Sequence, residues 1–331
     1  MGKIIIVSTG GTIACKVDDR RSGVEPALTG EDLLKTIPQL KKAANYEVYN
    51  IFQMPGSDFT FNKLLVLAKT IKVELDRNDV DGVIVTQGTD TIEEVAFFLG
   101  LVLKTSKPVI VTGAMRYPDM LGFDGSANIN DSLIVASSEE AQGLGVLIVM
   151  NSKIHSAYSV TKSNTTNLDA FTSLNGGILG QVSENKVYLF NKPYLNFRTI
   201  PVLDLEIKNI DITVHLIKVA LDMNPSIIDF AVESGAKGIV LETMGAGHVP
   251  SRIVSAVKKA AGSNFPVVIS SRTGSGPMLH KTYSFEGSEL TLKSAGALFT
   301  NLPGLKARIK LILALYVKDN MEYISSVFET D

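Results

Sequence analysis

Cysteine is nearly missing from this chain: Cys15 is the only one in 331 residues. No intrachain disulfide can form, and CxxC redox or metal motifs are excluded. Histidine is scarce as well, limited to His155, His215, His248 and His280. Neither an H-E-x-x-H zinc pattern nor a G-x-S-x-G nucleophile elbow occurs. No apolar run approaches the roughly 18 residues of a membrane span, and "LILALYV" near the end is far shorter. The formal net charge is −2, with basic residues scattered rather than clustered, so nothing draws the protein toward nucleic acid or anionic lipid. The opening "MGKIIIV" has too short an apolar stretch for a signal peptide, and Ile6 breaks the myristoylation pattern. The expectation is a cytoplasmic protein with no nucleic-acid and no membrane partner.

What remains is an ordinary globular composition, 45% hydrophobic and 20% charged, in a chain long enough for two domains. Tandem repeats and low-complexity segments are missing too. Short β-branched runs recur as "KIIIVST", "YEVYNIF", "DGVIVTQ", "KPVIVTG" and "GVLIVMN". Between them, "NKLLVLAKTIKVELDR" and "TIEEVAFFLGLVLK" space their apolar residues three to four apart, as amphipathic helices do. Strands without strict alternation, separated by helices, predict a parallel sheet covered on both faces. The pattern breaks after "NKVYLFNKPY" and restarts with "ITVHLIKVAL". "PSRIVSAVKKAAG" then predicts a helix with proline just inside its start, and "LPGLKARIKLILALYVK" a closing helix. The expected fold class is therefore α/β: a larger N-terminal Rossmann- or flavodoxin-like parallel-sheet domain (1–194), a connector (195–211) and a smaller C-terminal α/β parallel-sheet domain (212–331).

Chemistry is expected in loops at the carboxyl ends of the strands. "STGGTIA" lacks the third glycine of a dinucleotide fingerprint and the Gly-Lys-Ser/Thr ending of a P-loop. It displays a hydroxyl, Thr12, just past two glycines, which a capped turn would also explain. "VTQGTDTIEEVAFFL" repeats the design with Thr89 and Asp90 at a strand-to-helix junction, where free N–H groups favour an oxyanion or a substrate carboxylate. A threonine nucleophile needs a base; with histidine poorly placed, a lysine or tyrosine remains, and "SAYSVTKSNTTNLDAF" offers Lys162 among hydroxyls and amides.

Together, "STGGTIA", "VTQGTDTIEEVAFFL", "VIVTGAMR", "DGSANINDSLIVA" and "VTKSNTTNLDAF" resemble the bacterial-type L-asparaginase family, which includes the glutaminase-asparaginases. The resemblance continues through "SSRTGSG" and the last helices. It implies an amidohydrolase that converts L-asparagine to L-aspartate and ammonia, with side activity on L-glutamine, through a threonine acyl-enzyme and without metal or organic cofactor. Thr12 matches the acylated threonine; Thr89, Asp90 and Lys162 match a second catalytic group. Ser57 and Asp58 match the pair that grips the α-carboxylate and α-amino groups, with Thr89 and Asp90 beside them. Ala114 matches a residue whose carbonyl faces the leaving amide nitrogen. The resemblance also implies a homotetramer, a dimer of dimers with sites near subunit interfaces.

Relatives often place a tyrosine in the loop after the first threonine, whereas this chain has none between Cys15 and Asn45 and offers Asp18, Asp19 and Glu25. The base for Thr12 therefore stays open. His248 occupies a slot where relatives often carry asparagine, and Glu286 is one candidate for an acidic contribution from the second domain. Two rivals carry distinct expectations. An amidase subunit of a tRNA-dependent amidotransferase typically has a further domain ahead of the first threonine loop. A non-catalytic small-ligand or nucleotide-binding α/β module would bind without forming product.

Overall fold

The computed structural model describes residues 2–18, 23–35, 45–193, 199–206 and 209–329. The chain divides into two compact units, residues 1–195 and 196–331. The connector expected over 195–211 falls partly outside the described residues, as do Tyr194 and Leu195 at the expected domain boundary.

The first unit begins with β1 (Lys3–Gly10), a hairpin of β2 (Cys15–Asp18) and β3 (Gly23–Pro26), and α1 (Gly30–Lys35). Then come β4 (Asn45–Met54), α2 (Phe61–Leu75), β5 (Val80–Thr86), α3 (Ile92–Val102), β6 (Val109–Thr112), α4 (Gly125–Ala136) and β7 (Val146–Met150). It closes with β8 (Lys153–Ser156), β9 (Val160–Lys162), β10 (Phe171–Ser173), β11 (Gly180–Ser183) and β12 (Lys186–Leu189). The main sheet runs β12-β11-β8-β7-β6-β5-β1-β4. Its five strands β4-β1-β5-β6-β7 are parallel, as expected from the β-branched runs, and stand in a flavodoxin-like order. Strands β1, β5, β6 and β7 are buried almost throughout because helices cover both faces, which explains their lack of polar alternation.

The edge of the sheet adds to that expectation. Strands β8, β11 and β12 extend the sheet antiparallel, so it is mixed rather than wholly parallel. Two-residue turns at Asn151-Ser152 and Glu184-Asn185 make the β7–β8 and β11–β12 reversals, all four residues with φ between 50° and 58°. Positive φ at both central positions is the geometry that tight hairpins need. Without the usual glycine there, the sequence carries little hairpin signal.

The second unit holds β13 (Val214–Lys218), α5 (Ser226–Glu233), β14 (Gly238–Thr243), α6 (Ser251–Gly262), β15 (Val267–Ser271), α7 (Glu289–Ser294), β16 (Leu298–Phe299), α8 (Gly304–Val317) and α9 (Met321–Phe328). Its sheet β13-β14-β15-β16 is parallel throughout. Its core packs Ile239, Leu241, Val267 and Ile269 against Ile253 and Val257 of α6. Pro250 precedes α6 at the cap, with extended ψ of 136°, rather than standing inside the first turn. Among the described residues, no helix is long and apolar enough to cross a membrane.

Candidate active site

The strand order reverses between β1 and β5: the chain passes from β1 to β4 on one side and returns to β5 on the other, and the carboxyl ends of parallel strands at such a switch point are where ligands bind. Thr12 follows β1 and Thr89 follows β5. Three glycines let the loops after β1, β4 and β5 meet backbone to backbone. Gly11 has φ of 80°, and a methyl group there would collide with the Gly88 backbone. A methyl group on Gly88 would lie 2.8 Å from the Gly56 amide nitrogen. Only glycine tolerates both the left-handed backbone and this approach. The Gly11 N–H donates to the Met54 carbonyl at 2.9 Å, and the Thr91 hydroxyl to the Gly56 carbonyl at 2.8 Å, tying all three loops together. Each threonine thus stands directly after a glycine of this contact, Thr12 half-buried in a 3₁₀ turn and Thr89 buried in another.

Lys162 reaches the same place from far along the chain. It ends β9, whose hairpin with β10 pairs Lys162 with Phe171 and Val160 with Ser173. The hairpin is anchored to β8 by a 2.8 Å contact between His155 Nδ1 and Ser173 Oγ. The lysine Nζ donates to Thr89 Oγ1 at 2.9 Å and to Asp90 Oδ1 at 2.7 Å. The lysine side chain is 15% exposed and that of Asp90 71%, so the pair is dry at one end and open to solvent at the other.

Ser57 and Asp58 lie in the 3₁₀ turn that begins at Gly56, both exposed, with Ser57 Oγ 3.5 Å from Asp58 Oδ1. Ala114 is fully buried in the loop after β6. That loop adjoins the β5 loop: a methyl group on Gly113 would fall 2.6 Å from the Gln87 carbonyl and 3.4 Å from the Thr89 methyl. The arrangement gathers hydroxyls, carboxylates and one lysine around the buried glycine contact, which suits a zwitterionic amino acid: carboxylates for its ammonium and N–H or O–H donors for its carboxylate. Among the described residues no group of histidine, cysteine and carboxylates is placed to hold a metal ion.

Comparison with known families matches residues 3–195 to the N-terminal asparaginase domain and residues 213–328 to the glutaminase/asparaginase C-terminal domain. The chain belongs to the asparaginase family. It is 34% identical over 327 residues to the L-asparaginase of Bacillus licheniformis, covering 97% of this chain and 99% of that one. The glutaminase-asparaginase of Pseudomonas aeruginosa is 33% identical over 279 residues, covering 83% and 77%. Among solved structures, the probable cytoplasmic L-asparaginase of Campylobacter jejuni is similar with a TM-score of 0.86 at 30% identity, covering 99% of both chains.

Against this family the remaining candidates sort as follows. Asp19 lies outside the described residues, and Asp18 is described only as the end of β2. Glu25 is exposed on β3, opposite Lys16. Cys15, just past the Thr12 turn, is buried; burial, with Glu25 adding to it, pushes its thiol pKa up. It donates to the Gly11 carbonyl at 3.4 Å as a neutral packing group. Burial holds His155 at a pKa of about 4, neutral in its pocket. In the second unit, His248 Nε2 sits 3.3 Å from Glu289 Oε2, and its ring packs edge-on against those of Tyr283 and Phe285. The acid that engages His248 is thus Glu289, while Glu286 is exposed. Sequence reasoning passed over Glu289, and also Asp124 and Asn128 behind the Ala114 loop. "DGSANIND" carried the only signal for that second pair.

Proposed function

We propose that the protein hydrolyses L-asparagine to L-aspartate and ammonia. The Thr89–Lys162–Asp90 group beside the Thr12 turn carries this reading, and membership of the asparaginase family supports it. Thr12 Oγ attacks the side-chain amide carbon, and N–H groups beside Thr12 and Thr89 stabilise the tetrahedral oxyanion. The nitrogen takes up a proton and departs as ammonia, leaving a β-aspartyl ester on Thr12. Water then cleaves the ester and restores the hydroxyl, so one hard step becomes two easier ones. Lys162, held between Thr89 and Asp90, manages the proton that these steps exchange. Ser57 and Asp58 bind the α-carboxylate and α-ammonium, with Thr89 and Asp90 completing that grip, and the Ala114 carbonyl receives the leaving nitrogen's N–H.

L-Glutamine is a secondary substrate, a reading favoured by similarity to the Pseudomonas aeruginosa glutaminase-asparaginase; one methylene changes binding by only about 1–3 kcal/mol. The same reading includes a homotetramer, from family membership, and a cytoplasmic location, favoured by similarity to the probable cytoplasmic L-asparaginase of Campylobacter jejuni. Ammonia release over L- and D-asparagine and L- and D-glutamine tests the proposal. Turnover of L-asparagine that Thr12→Ala abolishes is the expected result; binding without ammonia would sink it.

A further inference from the structure

The loop between β6 and α4 holds Ala114, and two side chains outside the proposed chemistry fix its backbone. Asp124 precedes α4 at its cap position but makes no side-chain capping bond to the helix. It turns both oxygens to the loop instead. Oδ2 accepts the Met115 N–H at 3.0 Å, and Oδ1 accepts the Arg116 N–H at 2.9 Å. Asn128, one turn along α4 and 2% exposed, donates from Nδ2 to the Gly113 carbonyl at 3.0 Å and to Asp124 Oδ2 at 3.1 Å. Its Oδ1 accepts the Asn151 N–H at 2.9 Å, which ties the loop to the end of β7.

Peptide geometry gives this clamp a direction. The Ala114 carbonyl and the Met115 N–H belong to one planar trans peptide and point opposite ways. An N–H drawn toward Asp124 aims the carbonyl away from Asp124. The carboxylate also polarises the peptide it binds, which makes that carbonyl oxygen a better acceptor. On the other side of Ala114, Asn128 fixes the Gly113 carbonyl, so the residue is held from both flanks.

We propose that Asp124 and Asn128 are positioning residues that aim the Ala114 carbonyl at the leaving amide nitrogen. This rests on the asparaginase reading given above. The test compares two substrates that form the same β-aspartyl enzyme: L-asparagine, whose leaving group carries N–H, and the β-methyl ester of L-aspartate, whose leaving methanol does not. In Asp124→Asn and Asn128→Ser, kcat/KM for asparagine should fall on the order of 10²-fold, as a misplaced contact at a reacting group does, while the ester stays close to wild type. Equal losses on both substrates would overturn the inference and leave a structural role only. A second measurement needs no variant: the Met115 and Arg116 amide protons of the wild type should exchange slowly by NMR, and fast exchange overturns the clamp even if both variants misfold. Wild-type protein that cleaves neither substrate would refute the asparaginase reading itself, a result distinct from either of these.

Discussion

Replacing Lys162 separates chemistry from stability. The lysine gives Thr89 one hydrogen bond and Asp90 one ion pair. Asp90 is 71% exposed, so screening reduces the pair to about 0–1 kcal/mol. Thr89 is buried, and losing its donor costs about 0.5–1.5 kcal/mol. Lys162→Met should therefore destabilise by about 1–2 kcal/mol, a Tm decrease of about 2–8 °C for a unit of this size. Loss of positioned proton transfer should cost roughly 10²–10⁴-fold in kcat. Lys162→Arg sharpens the distinction: it keeps the charge but cannot give up its proton near neutral pH, so it should be nearly as slow while more stable. Coupled-enzyme ammonia detection at saturating asparagine, with calorimetry on the same samples, reads both quantities. Near-wild-type turnover in Lys162→Arg would refute proton handling by Lys162. A Tm loss far beyond the stated range would refute the electrostatic reasoning.

Other expectations follow from single features. Gly11→Ala should fail to give soluble folded protein, because its methyl group meets the Gly88 backbone at positive φ; Gly143→Ala, also at positive φ but with nothing within 4 Å, should cost only about 1–2 kcal/mol by thermal melting. Cys15 should react slowly with a thiol reagent in the native protein and stoichiometrically once unfolded, its thiol being buried and its pKa raised; rapid native labelling would contradict the burial. His155 binds its proton at about 4 when folded against 6.5 in the open chain, so the unfolded state holds more protons between those values. Stability should thus fall as pH drops from 6.5 toward 4, by up to about 3 kcal/mol, and His155→Gln should flatten that slope in denaturant titrations.

The central sheet was legible because buried parallel strands leave unbroken β-branched runs, as in "KIIIVST" and "DGVIVTQ". The mounting of Thr12 and Thr89 was legible because glycines mark close backbone approach. Strands β8 to β12 were not legible: each is three or four residues long, and the turns that enter β8 and β12 use Asn, Ser and Glu where glycine would have signalled a reversal. The convergence of Lys162 on Thr89 is a contact across 73 positions, which no local pattern encodes; only the resemblance placed it. Asp124 went unremarked in the sequence: it stands at the cap position of α4, yet its carboxylate serves the neighbouring loop. His248 stood out because it takes a slot where relatives often carry asparagine, but its partner Glu289 lies 41 residues away.

The most direct test is rapid acid quench of the wild-type protein turning over L-asparagine, followed by peptide mass spectrometry. The account expects a β-aspartyl ester on the peptide containing Thr12, forming before ammonia release reaches steady state and vanishing in Thr12→Ala. An adduct on Thr89 instead, or steady turnover by Thr12→Ala, would contradict it.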